Sequence, residues 1–293
     1  MSPTPHTLKQ MKHLFLFFGI ILSAFVLSAC DEDYSTVMNT SEFGLESQEY
    51  QSAVICYPLD MENRVYPAVA ISGGFSNTKE QMVDYAAALV ENGFIVIGVT
   101  PKGNYTTNHT YFKRALIEVF SKLKALNGNP ESPVFQRVDV DNMAQLGYSM
   151  GGGAALLNAH EDAGDIKAVA AVCPFYPGVK ATSLNQVAAP VMLLTGTADA
   201  VAWSSYVEKM RDSVLSGENH DRVLYASMEA LDHLDVVGGM GEAEKLDRTI
   251  ETVVAFLKSE MMGDPESESA ISGDIQAQHE ADGWFSEYLL YEL

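Results

Sequence analysis

The chain has 293 residues, 47% hydrophobic and 19% charged, an ordinary globular composition that excludes a wholly disordered, collagenous or coiled-coil protein. Lys+Arg 18 against Asp+Glu 39 gives a net charge of −21, which argues against a nucleic-acid partner, because that affinity comes mainly from cations set on phosphates. Three cysteines are too few for a disulfide scaffold, and no Cys-x-x-Cys or His-Glu-x-x-His spacing marks a metal site.

The run from Met11 to Ala29, MKHLFLFFGIILSAFVLSA, has a lysine near its start, a long apolar body and small residues at its end. That is the pattern of a secretory signal, expected over residues 1–29; an uncleaved signal anchor is the alternative. Leu27-Ser28-Ala29-Cys30 resembles a bacterial lipobox. The resemblance implies lipidation of Cys30 and an exported protein held on a bacterial membrane by that lipid, on the periplasmic side or at the cell surface. Losing residues 1–29 removes Lys9 and Lys12 and no acid, taking the charge from −21 to −23. Residues 30–49 are acidic and weakly patterned, and read as a solvated tether.

From residue 50 to 262, strand-like and helix-like segments alternate. SAVICY (52–57) and PAVAIS (67–72) read as strands. Residues 78–92 read as a helix, opened by a capping box from Thr78 and Gln81 and stopped at Gly93. FIVIGV (94–99) is a buried strand, and 109–126 a helix. AQLGY (144–148) is a strand that runs straight into a small-residue helix from Met150. KAVAAV (167–172), PVMLLTG (190–196) and RVLYAS (222–227) are further strands, with a helix near 204–214 between the last two. A last helix sets Leu246, Ile250, Val253, Val254 and Leu257 on one face. Such alternation predicts an α/β fold, a mostly parallel sheet covered on both faces, with functional residues just after the strands. Residues 263–293 read as an acidic linker and a short apolar tail that docks as a helix or frays.

Gly147-Tyr148-Ser149-Met150-Gly151 lies between a predicted strand and a predicted helix, the context that a Gly-x-Ser-x-Gly nucleophile turn needs. The turn is tight, so its flanking residues must be small. A serine hydroxyl is a weak nucleophile and needs a base, which needs an orienting acid, in the order Ser, acid, His on this fold. Of seven histidines, His233 alone follows the strand 222–227 and precedes the last helix. Asp199 follows PVMLLTG by three residues and is the candidate acid. Met150, next to the serine, and Phe75, after Ser72-Gly73-Gly74, are the candidate oxyanion-hole N–H donors.

These pieces resemble the α/β-hydrolase superfamily. Within it they are similar to the bacterial cutinase and polyester-hydrolase (PET hydrolase-like) branch, with dienelactone hydrolase-like esterases nearby. The resemblance runs from about Tyr50 to Ser259. It rests on the turn ending at Phe75, the Gly-Tyr-Ser-Met-Gly-Gly-Gly elbow, Pro174-Phe175, the run Gly196 to Ala202, and the segment ending at His233. It implies Ser149 as nucleophile, Asp199 as acid, His233 as base, Phe75 and Met150 as oxyanion donors, and Phe175 as an aromatic packing on substrate, with no cofactor. Departures from the pattern are Gly73 for proline, Tyr148 where His is common, Phe175 for Trp, and Trp203 for proline. The branch's C-terminal disulfide is absent, since no Cys follows Cys173. Cys56 and Cys173 read as buried thiols, with a disulfide between them the alternative if their Cα atoms lie within about 7 Å.

The expectation is therefore a carboxylic ester hydrolase working through an acyl-enzyme. A peptidase or carbon–carbon hydrolase on the same fold is a rival, and so is an idle surface-binding protein. Only seventeen residues, Cys173 to Ala189, separate two strands where a cap domain would be inserted. That predicts an open cleft floored by Phe75, Phe175 and Trp203, suited to bulky or polymeric esters.

Overall fold

The computed structural model describes residues 34–61, 63–161 and 165–292. The signal read over 1–29 and Cys30 lie outside the described residues. Nine strands are present among those described, in a single sheet of order β1-β2-β4-β3-β5-β6-β7-β8-β9. They are β1 (Met38–Ser41), β2 (Tyr50–Pro58), β3 (Tyr66–Ser72), β4 (Ile95–Pro101), β5 (Val138–Tyr148), β6 (Val169–Val172), β7 (Val191–Gly196), β8 (Arg222–Met228) and β9 (Phe285–Glu292). The strands from β4 through β3 to β8 run parallel, while β1, β2 and β9 join antiparallel at the two sides. β4, β6 and β7 are buried at every position, as their unbroken apolar sequences require of central parallel strands.

Among the described residues seven α-helices accompany the sheet: α1 (Val83–Glu91), α2 (His109–Gly128), α3 (Met150–Glu161), α4 (Ser204–Leu215), α5 (Ala243–Met262), α6 (Pro265–Ser272) and α7 (Asp274–Ala281). Phe112, Leu116 and Val119 of α2, Leu156 of α3 and Met210 of α4 pack into one core. Tyr85 and Leu89 of α1, Phe256 and Leu257 of α5 and Ile271 of α6 pack into the other. The fold is thus the three-layer α/β architecture expected. α1 begins after a 3₁₀ turn, where the Gln81 side chain accepts the Thr78 N–H at 3.1 Å, and the chain leaves it through Gly93 at φ 86°. Among the described residues, no helix is long and apolar enough to cross a membrane.

Three expectations are corrected. The tether read over 30–49 gives way from Tyr34 onward to a 3₁₀ turn and β1, because Met38 and Leu45 bury their side chains and Met38–Ser41 pairs with β2. The acidic linker after Gly263 is two helices. Gly263 ends α5 in the left-handed region at φ 62°, and Asp264 caps α6 by accepting the Ser267 N–H at 2.9 Å, with Pro265 in the first turn. The tail is neither a helix nor frayed: β9 pairs with the whole of β8, so β8 is not the sheet's last strand. Arg222 binds this appendage to the body, donating to Glu260 and Glu268 at 2.8 Å and to Glu292.

Candidate active site

Ser149 sits between β5 and α3 with φ 52°, a left-handed backbone that side-chain-bearing residues rarely adopt. The turn is forced by its neighbours. A Cβ on Gly147 would come within 2.2 Å of the Gly151 backbone, and one on Gly151 within 2.3 Å of the Ser72 carbonyl. The Ser149 N–H donates to Val172 O at 3.0 Å, and its carbonyl accepts from Gly153 and Phe175, at 3.0 and 2.8 Å. Strands β5 and β6 and the start of α3 therefore hold the serine through its own backbone.

His233 reaches it from the loop after β8. Its Nε2 lies 3.1 Å from Ser149 Oγ and its Nδ1 2.7 Å from Asp199 Oδ2. All three residues are buried. Asp199 stands on the turn after β7, where its Oδ1 accepts the N–H groups of Val201 and Ala202 at 2.8 and 2.7 Å. Burial pushes this carboxyl up, but His233 and the two backbone donors outweigh it, and the net pKa falls below the usual aspartate value. Asp199 is therefore anionic at neutral pH. The two loops are tied together: Ala198 N–H donates to Leu231 O, and Ala230 N–H to the Thr197 hydroxyl.

Of the other expected residues, Met150 is the first residue of α3, where a helix leaves its N–H groups without intrahelical partners. The residue before Phe75 lies directly against the serine, since a Cβ on Gly74 would come within 2.6 Å of Ser149 Cβ. Phe75 is half-buried, with its ring edge-on to Tyr105. Phe175 is tied to Ser149 by its N–H and to His109 Nε2 by its carbonyl, at 2.7 Å. Trp203 is exposed; its ring stacks on Tyr206 and its indole N–H donates to Ala200 O. Cys56 and Cys173 are free and buried, as expected.

Sequence reasoning missed the amides that set the loop at Phe75. Asn77 Oδ1 accepts the Gly74 N–H at 3.0 Å, the buried Asn104 donates to Asn77 O, and Gln51 donates to Asn104 Oδ1. Asn77 was legible as a turn-forming side chain three residues after Gly74; Asn104 and Gln51 carry no local signal. It also missed the role of Tyr148, whose hydroxyl donates to the His233 carbonyl at 3.0 Å and whose ring lies 5.0 Å from the imidazole. An apolar cavity of about 160 Å³, lined by Met38, Val54, Cys56, Ile71 and Met82 among others, includes none of these site residues.

A parallel sheet with a serine on a left-handed strand–helix turn, facing a histidine and an aspartate from two later strand ends, defines an α/β-hydrolase. Residues 26–258 match the PET hydrolase-like family, and the chain belongs to it. It is similar to cutinase est1 of Thermobifida alba, 28% identical over 59% of this chain and 55% of that one. It is likewise similar to cutinase 2 of Thermobifida cellulosilytica, 29% identical over 55% of this chain and 57% of that one. A third relative is cutinase cut1 of Thermobifida fusca, at 29% over 55% and 47%. The chain spans about half the length of these curated relatives.

Proposed function

We propose that the protein hydrolyses carboxylic esters through an acyl-enzyme. The observation that carries this reading is the continuous chain from Ser149 Oγ through His233 to Asp199, at 3.1 and 2.7 Å. Ser149 Oγ attacks the ester carbonyl as His233 Nε2 takes its proton. Asp199, fixed by Val201 and Ala202, keeps the other ring nitrogen protonated and stabilises the imidazolium. The N–H groups of Phe75 and Met150 receive the oxyanion. His233 then returns the proton to the leaving alcohol, and water cleaves the acyl-enzyme by the same route. No step calls for a cofactor.

Support for a bulky or polymeric ester comes from the connection between β6 and β7. Residues 173–190 contain turns and no helix or strand, so no folded cap is placed there. Gly74, next to Phe75, packs on Ser149, the Phe175 N–H holds the serine carbonyl, and Trp203 is an exposed aromatic four residues after Asp199. The relatives' names as cutinases point the same way. Turnover of a chromogenic short-chain ester, a polyester film and a peptide tests the reading. Ester cleavage abolished by Ser149→Ala supports it; cleavage of peptide alone, or of nothing, overturns it.

The lipid anchor at Cys30 is part of the proposal and rests on the lipobox-like Leu27–Cys30 sequence. A Cys30→Ser chain should leave the membrane fraction or stay unprocessed. Unchanged processing and membrane association would exclude it.

A further inference from the structure

Cys173 follows β6 at φ 42°, fully buried, with its N–H held by Leu194 O at 2.7 Å. Its Sγ, a carboxylate oxygen of Asp199 and a ring nitrogen of His233 lie within 4.8 Å of one another. The proposed hydrolysis uses the acid and the base and leaves the thiol idle. Sulfur, nitrogen and oxygen donors converging from three loops are the ligand set of a borderline-soft divalent ion.

We propose that Cys173, Asp199 and His233 form an inhibitory binding site for thiophilic divalent ions such as Zn²⁺ and Cd²⁺. The ion replaces the Nδ1 hydrogen of His233 and stands between that nitrogen, the Asp199 carboxylate and the Cys173 sulfur, to one side of the His233–Asp199 line. The Cys173 thiol gives up its proton to solvent, and the imidazole proton moves from Nδ1 to Nε2. One thiolate and one carboxylate cancel the two charges of the ion, so no net charge is buried. Ligand bonds of about 2.0–2.3 Å at a tetrahedral angle set nitrogen and oxygen roughly 3.3 Å apart, so the 2.7 Å contact between His233 and Asp199 must open by about 0.6 Å while the carboxylate swings off the line of the Nδ1 hydrogen. The consequence for hydrolysis, which rests on the reading above, is a change of tautomer: an Nε2 that carries hydrogen cannot accept the proton of Ser149. Without an ion, burial and the Asp199 charge hold the thiol far above its usual pKa, so it is no rival nucleophile.

The test uses the full chain carrying Cys30→Ser, stripped with chelator and titrated with Cd²⁺. The ultraviolet thiolate-to-cadmium charge-transfer band should grow to one ion per chain, disappear with chelator and track the loss of ester turnover. Cys173→Ser should lose the band and need at least about tenfold more Cd²⁺ for inhibition, whereas Cys56→Ser should keep both. His233→Ala, which retains the thiol, should bind at least about tenfold more weakly and guards against a Cys173→Ser chain that fails to fold. No band in the parent chain, a band surviving Cys173→Ser, or unchanged affinity in His233→Ala would overturn the site. A band with this dependence in a protein that cleaves no ester keeps the site and removes the hydrolase reading.

Discussion

Ser149 and Arg222 each sit where several segments of the chain meet, but they are fixed differently. Around Ser149 the fixing groups are backbone: the N–H and carbonyl of the serine itself, and glycines into which no Cβ fits. Around Arg222 they are side chains, with Glu260, Glu268 and Glu292 on one guanidinium and Ser259 donating to Glu268. A backbone turn that admits one residue type has no graded failure, whereas a cluster of ion pairs near the surface loosens one contact at a time. The first arrangement suits a group placed to a few tenths of an ångström, and the second suits fastening an appendage to an edge.

The sharpest way to separate the two is Ser149→Ala. It removes one oxygen and leaves the turn intact, so ester turnover should fall by roughly ten-thousandfold or more while the melting temperature barely moves. Adding His233→Ala should cost little more, since the two act as a unit. Gly147→Ala attacks the turn instead. Its Cβ would meet backbone that cannot move aside, so we expect a loss of about 4 kcal/mol or more, seen in denaturant unfolding, or no soluble protein. Arg222→Gln should be milder. Leaving Glu260 partly buried and unpaired should lower stability by about 2 kcal/mol, with faster amide exchange across residues 285–292 and unchanged turnover.

Acid should produce the smallest effect and read both regions at once. Arg222 foremost holds the Glu268 carboxyl down at about 2, and Asp199 and Asp235 are also depressed. A carboxyl with a depressed folded pKa adds stability that is fully present above its unfolded value and is lost as pH falls toward the folded one. Melting temperature should therefore drop from about pH 4.5 downward. Glu260 opposes part of this, because burial raises its carboxyl. Arg222→Gln should flatten the slope below pH 4.5, leaving the share due to Asp199, Asp235 and the other depressed carboxyls, Glu80 and Asp264.

What was legible in the sequence follows the same division. The turn at Ser149 announces itself because Gly147, Gly151, Gly152 and Gly153 surround one serine, and the central strands because they are apolar without interruption. Asp199 and His233 were found by their places after two such strands. β1 escaped because four residues with one buried side chain leave no periodicity. β9 escaped because an apolar tail behind an acidic segment does not alternate, and its partner β8 already read as a complete buried strand. The cap at Asp264 and Pro265 was there to be read, but the acidic composition masked it. Asn104, Gln51 and Cys173 act only through contacts across the fold, for which no local pattern exists.

The position of β5 within the sheet has a practical bearing on attachment. It is the fifth of nine strands, with β1 and β9 at opposite edges. At about 4.8 Å per strand those edges are roughly 38 Å apart, and the strand leading to Ser149 stands midway. A support, fluorophore or fused domain fixed beside Met38 or beside Tyr291 would sit some two nanometres to either side of the serine, so either edge offers a point of attachment clear of Ser149.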